Sequence, residues 1–177
     1  MRLREILVAG SGGQGVLTLG LLLAHTAFRE GLQVSWLPAY GPEQRGGAAY
    51  SMVVVGEGEV LSPIVEEPDL AIFLHPSAFG RFQPLILPHT LVLYDSSLFP
   101  SSPHPGAIGI PALELASQLG DGRAQNMVLL GAALRRMEFL PPRRVEETME
   151  EEMEWEGRIL DLNRRAFRRG WESVGEG

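Results

Sequence analysis

One stretch near the start of the chain limits the fold more than any other: Ile6-Leu7-Val8-Ala9-Gly10-Ser11-Gly12-Gly13-Gln14-Gly15-Val16-Leu17-Thr18. It reads as a buried strand, then a glycine turn, then the opening of an apolar helix. Gly10, Gly12 and Gly15 hold the G-x-G-x-x-G spacing, with Ser11, Gly13 and Gln14 between them. In that spacing the first glycine permits a tight turn. The second lets a phosphate approach the backbone, and the third lets helix pack close to strand. Free N–H groups at the new helix start then carry a partial positive charge that suits an anion. A bare packing turn remains an equal alternative at this point.

A dinucleotide site asks for more. It expects an acid about 20 residues further on, at the end of the second strand, to hold a ribose. The second strand reads as Gln33-Val34-Ser35-Trp36-Leu37, followed by Pro38-Ala39-Tyr40, and the next acid is Glu43. The ribose partner is therefore missing. Composition removes other chemistries. The chain has no cysteine, so it can form neither a disulfide nor a thiolate-held iron–sulfur cluster. It also has no lysine, which excludes a Schiff base and a P-loop lysine. A net charge of −7 argues against a nucleic-acid surface. The apolar run Val16 to Ala24 is too short to span a bilayer, and the first residues lead straight into the strand without a signal peptide. A single domain over residues 1–177, soluble and cytoplasmic, is expected.

The first helix continues through Leu19, Leu22, Leu23 and Phe28 and stops at Gly31. With the second strand it makes a strand–helix–strand unit, hence a right-handed parallel crossover. Next comes a second informative loop, Tyr40-Gly41-Pro42-Glu43-Gln44-Arg45-Gly46-Gly47. In a parallel sheet it emerges at the same edge as the glycine turn, where such folds bind ligands. Its ion pair reads equally as a solvated surface turn. Tyr50 to Val55 reads as a strand that turns at Gly56-Glu57-Gly58 and returns through Glu59-Val60-Leu61 as a small antiparallel hairpin.

A buried strand ends at His75, which reads as structural, and another closes on Asp95, either a site residue or a turn and cap residue. Ala107 to Ile110 is a further short strand, and Pro111 starts a helix that ends at Gly120. Gly120-Asp121-Gly122 begins like a thiamine-diphosphate motif, but Asn126 follows too soon, so a turn is expected, with Asn126 capping a helix from Met127 to Met137. Pro141-Pro142 opens another helix, whose acids from Glu146 to Glu156 read as a solvated face rather than a metal site. A last helix runs from about Arg158 to Arg169, stopped by Gly170. The fold class is α/β, Rossmann-like, with a mostly parallel sheet, helices on both faces and a small antiparallel hairpin insertion.

With both loops in hand, the chain resembles the gamma subunit, or gamma domain, of 2-oxoacid:ferredoxin oxidoreductases. The residues that carry the resemblance are Gly10-Ser11-Gly12-Gly13-Gln14-Gly15-Val16 and Tyr40-Gly41-Pro42-Glu43-Gln44-Arg45-Gly46-Gly47. Pro68-Asp69, Asn126 to Ala132 and Asn163 to Gly170 support it in order along the chain. The length and loop spacing look most like the 2-oxoglutarate type, with the pyruvate and branched-chain 2-oxoacid types as alternatives.

The resemblance implies a non-catalytic part of an enzyme that converts a 2-oxoacid and coenzyme A to acyl-CoA and carbon dioxide while reducing ferredoxin. It places thiamine diphosphate, magnesium and iron–sulfur clusters on the alpha, beta and iron–sulfur partner subunits. It implies a surface of Gly10, Ser11, Gly12, Gly13, Gln14, Gly15, Tyr40, Gly41, Glu43, Arg45 and Gly46 that holds coenzyme A phosphates or docks the catalytic subunits. Without those partners the chain is expected to form a homodimer. The competing reading is a free-standing nucleotide-binding protein, a sensor or small reductase. The missing ribose acid counts against it.

Overall fold

The structure is a computed structural model, and it describes residues 3–41 and 47–175. The first strand, β1 (Arg4–Ser11), is apolar on both faces and lies at the centre of the sheet. Helix α1 (Val16–Arg29) follows the glycine turn and crosses to β2 (Gln33–Tyr40), which forms one edge. Then come β3 (Ala48–Gly56), β4 (Leu70–Phe73), α2 (Pro76–Phe82), β5 (Leu91–Asp95) and β6 (Ile108–Ile110). Helices α3 (Ala112–Gln118), α4 (Gln125–Met137), α5 (Pro142–Glu151) and α6 (Gly157–Ser173) complete the described chain.

The sheet order is β2-β3-β1-β4-β5-β6. Strands β1, β4, β5 and β6 pair in parallel, whereas β3 is antiparallel to both β1 and β2. Every strand except β3 thus shares one direction, which agrees with a mostly parallel sheet. Helices cover both faces. One face packs Ile6, Val8 and Val53 against α1, α3, α4, α5 and α6, and the other packs Leu7, Phe73 and Tyr94 against Ala78 and Phe82 of α2.

One expectation about this sheet needs correction. Strands β1 and β2 run parallel, as the crossover requires, with β3 between them. The antiparallel hairpin is β2–β3, joined through residues 41–47. Residues Glu59-Val60-Leu61 form no strand, and Leu61 is 84% exposed. The physical reason lies in Val53, Val54 and Val55, which are all buried. A strand with apolar side chains on both faces belongs in a sheet interior, and it finds a paired neighbour on each side there.

Gly170 does not stop the last helix. It sits inside α6, and a Cβ there would stand 2.6 Å from the Val128 carbonyl carbon and closer still to its oxygen. A Cβ on Gly131 would likewise crowd the Phe167 carbonyl and come 2.8 Å from the Trp171 nitrogen. The two glycines let α4 and α6 cross backbone against backbone, burying Ala166 and Phe167. The acidic stretch is a charged face, as expected, but a paired one. Arg168 meets Glu146, Arg164 meets Glu150, and Arg144 bridges Glu30, the residue after α1, to Glu147. Such exposed pairs contribute about 0–1 kcal/mol each.

Candidate functional site

The glycine turn lies between the end of β1 and the start of α1. Its start is locked from within. The Ser11 N–H donates to Oε1 of Gln14 at 2.8 Å, and Nε2 of Gln14 donates to the Leu74 carbonyl at 3.2 Å. The Gln14 amide, part of the surface that the resemblance implies, is committed at both ends to the chain itself. It ties the turn to Leu74, the residue after β4, whose N–H donates to the Ala9 carbonyl at 2.9 Å. Gly10 has to be glycine for this lock, since a Cβ would come 2.8 Å from Oε1 of Gln14.

The crest of the turn is open. Gly12 and Gly13 are exposed, and among the described residues a Cβ on Gly12 would meet only the Gly47 carbonyl, 3.9 Å away. The Gly12 N–H donates to that carbonyl at 3.1 Å. This bond brings the two motif loops together at one edge. On the hairpin side, Gly41 donates to the Ala48 carbonyl at 2.6 Å, and Tyr40 is 75% exposed. Glu43, Arg45 and Gly46, with the rest of 42–46, lie outside the described residues. The end of the turn, Gly15, caps α1 in a left-handed conformation at φ 73. Its carbonyl accepts from Leu19 at 3.0 Å and also from Nδ2 of Asn126 at 3.1 Å.

A cleft of about 260 Å³ opens on the α6 side of the turn. Gly13, Gly15, Thr18 and Asn126 form its inner wall, and Trp155, Ile159 and Leu162 its apolar outer wall. Arg123 stands on the rim, bound by Asp121 at 2.6 Å. The guanidinium hydrogen bonds of Arg123 pull the Asp121 carboxyl down to about 2. The pair leaves the rim near neutrality, so the partial charge at the start of α1 acts here without an opposing net charge.

Other candidate residues have structural work. Asp95 is fully buried and accepts from Ser97, Ala112 and Leu113, each at 3.0 Å. Its carboxylate satisfies the first two N–H groups of α3, as the cap reading expects. Nδ1 of His75 accepts from the Ser77 N–H at 3.2 Å and caps α2. Asn126 corrects an expectation. It lies within α4 rather than before it, and its amide reaches back 111 residues to the glycine turn. Nothing local signals that contact. The only hint is an amide within the apolar run of α4.

The fold defines an α/β domain that presents a glycine turn, hydrogen-bonded from Gly12 to Gly47, at one edge of its sheet. Residues 5–173 match the family described as pyruvate ferredoxin/flavodoxin oxidoreductase, and the chain belongs to that family. It is 38% identical over 170 residues to the ketoisovalerate oxidoreductase subunit VorA of Methanothermobacter thermautotrophicus, a match that covers 95% of this chain and 36% of the relative. It is 36% identical over 169 residues to the 2-oxoglutarate synthase subunit KorC of Archaeoglobus fulgidus, covering 95% of this chain and 86% of that one. The chain therefore spans about a third of the length of the VorA relatives it matches and most of the KorC relative. Among solved structures, it resembles the gamma subunit of a keto/oxoacid ferredoxin oxidoreductase from Geobacter sulfurreducens. That match has a TM-score of 0.84 and 27% identity, covering 98% of this chain and 97% of the other.

Proposed function

We propose that this chain is the gamma subunit of a 2-oxoacid:ferredoxin oxidoreductase, and that its joined loops receive the phosphates of coenzyme A. The complex turns a 2-oxoacid, coenzyme A and oxidised ferredoxin into acyl-CoA, carbon dioxide and reduced ferredoxin. The single observation that carries the site reading is the Gly12–Gly47 hydrogen bond. It brings the open backbone of Gly12 and Gly13 and the start of α1 beside Gly47, the residue that ends the Tyr40–Gly47 stretch in sequence. A phosphate suits a helix start and a guanidinium.

The acid is a 2-oxoacid such as 2-oxoglutarate, pyruvate or ketoisovalerate, the substrates that the family and relatives' names carry. The chemistry resides on partner subunits. Without cysteine this chain offers no thiolate for an iron–sulfur cluster, and Asp121, bound to Arg123, caps a 3-10 turn. In line with the family resemblance, we assign thiamine diphosphate, magnesium and the clusters to the alpha, beta and iron–sulfur subunits. The workplace is the cytoplasm, where ferredoxin is reduced. A second reading, that the same edge docks the catalytic subunits, draws support from Tyr40, an aromatic side chain three-quarters exposed beside the turn.

The test is Arg45→Ala in the reconstituted complex. Loss of a charge-assisted contact to phosphate is expected to raise the KM for coenzyme A about tenfold or more, with the unfolding midpoint of the isolated chain unchanged. An unchanged KM with loss of assembly would favour the docking reading. Wild-type turnover and assembly would reject both.

A further inference from the structure

Two side-chain amides hold the glycine turn, one at each end. Gln14 fastens the start, and sequence spacing makes that lock local. The end is fastened by Asn126, which is 5% exposed and comes from the first turn of a different helix. Nδ2 of Asn126 donates to the Gly15 carbonyl, and its Oδ1 accepts from the Met127 N–H at 2.9 Å. Both ends of the amide are engaged, so its orientation is fixed by its partners rather than by solvent.

Gly15 cannot move freely under this contact. A Cβ on it would stand 2.9 Å from Cγ of Asn126 and closer to Nδ2, so the amide lies directly over the glycine. The same carbonyl begins the hydrogen-bond ladder of α1 through Leu19. The other end of the contact is rigid. From Gln125 to Leu134 every residue of α4 is buried, and α4 is clamped to α6 by the Gly131–Gly170 crossing. A continuous set of fixed contacts thus runs from the core of the domain to the last residue of the turn.

We propose that Asn126 is a positioning residue: it sets the Gly15 carbonyl, and through it aims the Gly12–Gly13 backbone and the first turn of α1 at the ligand. This rests on the reading above, that the turn meets coenzyme A. A contact that fixes the binding geometry in advance lowers the ordering cost of binding. Its loss therefore weakens binding while leaving the chemical step on the partner subunits unchanged.

The experiment uses the reconstituted complex with three versions of this chain: wild type, Asn126→Ala and Gly12→Val. The added side chain of Gly12→Val fills the open space over the turn, so it probes the surface itself. Coenzyme A is titrated at saturating 2-oxoacid, and the 2-oxoacid at saturating coenzyme A. Asn126→Ala is expected to raise the KM for coenzyme A about tenfold, with kcat within about twofold and the KM for the 2-oxoacid unchanged. Should that chain fail to enter the complex, Asn126→Ser takes its place with the same expectation. Failure of both to assemble would make Asn126 a folding residue and overturn the proposal. A wild-type KM for coenzyme A in Asn126→Ala, with a raised one in Gly12→Val, would overturn the role of Asn126 alone. Wild-type values in both would overturn the surface reading, and the role of Asn126 with it.

Discussion

The crossing of α4 and α6 makes a demanding prediction. Gly170→Ala places a methyl group where a Cβ would stand 2.6 Å from the Val128 carbonyl carbon, against ordinary contact from 3.4 Å. The obstacle is backbone, so no rotamer change relieves it. The helices must part by about 0.8 Å or more, and gaps of that size forfeit about a quarter to a half of each contact they open. Overpacking of this kind costs about 1–3 kcal/mol, and a backbone clash belongs at the upper end. Alanine returns about 1 kcal/mol in helix propensity. The net expectation is a loss of about 2 kcal/mol, which for a domain of this size lowers Tm by about 4–8 °C. Urea unfolding of the isolated chain should show a lower midpoint with an unchanged slope. A variant as stable as wild type, or more stable by the propensity gain, would refute the close crossing.

Gly80→Ala is the opposite case. Gly80 lies in α2 with nothing within 4 Å of its Cβ position, so the same substitution should stabilise by about 0.4–1 kcal/mol in the same urea assay. Asp95 supplies a pH prediction. Burial raises its pKa, against the lowering effect of hydrogen bonds from Ser97, Leu113 and Ala112. With the folded value above the unfolded one of about 3.9, its contribution is complete below that pH and is lost as pH rises through the folded value. The stability of wild type relative to Asp95→Asn should therefore fall as pH rises from about 4, by at most about 1.4 kcal/mol per unit. Urea midpoints across pH 4–7 check it, and a difference that grows with pH would contradict it.

The parts that were legible in the sequence are those with local causes. The glycine turn follows from spacing within six residues, and the order of strands and helices from periodicity and from Gly and Pro. Strand order was not legible, because β3 pairs with β1 and β2 through non-local contacts that no local pattern records. Gly170 reads as a stop because glycine commonly ends helices, yet here Val128 of another helix requires it. Asn126 reads as a cap by residue type, while its partner Gly15 lies at the other end of the chain. The adjacency of the two loops was legible, since both were placed at one edge of a parallel sheet. The hairpin geometry, with β3 antiparallel, brings them together all the same, through the Gly12–Gly47 bond.

The most direct test of the account is isolation of this chain from its own host under conditions that preserve complexes. The eluate's visible spectrum is read for iron–sulfur absorption, and 2-oxoacid-dependent, coenzyme A-dependent dye reduction is assayed. The account predicts a coloured, active complex, with the preferred acid naming the substrate. A colourless eluate holding this chain alone, without that activity, would contradict it and return the case to a free-standing nucleotide binder.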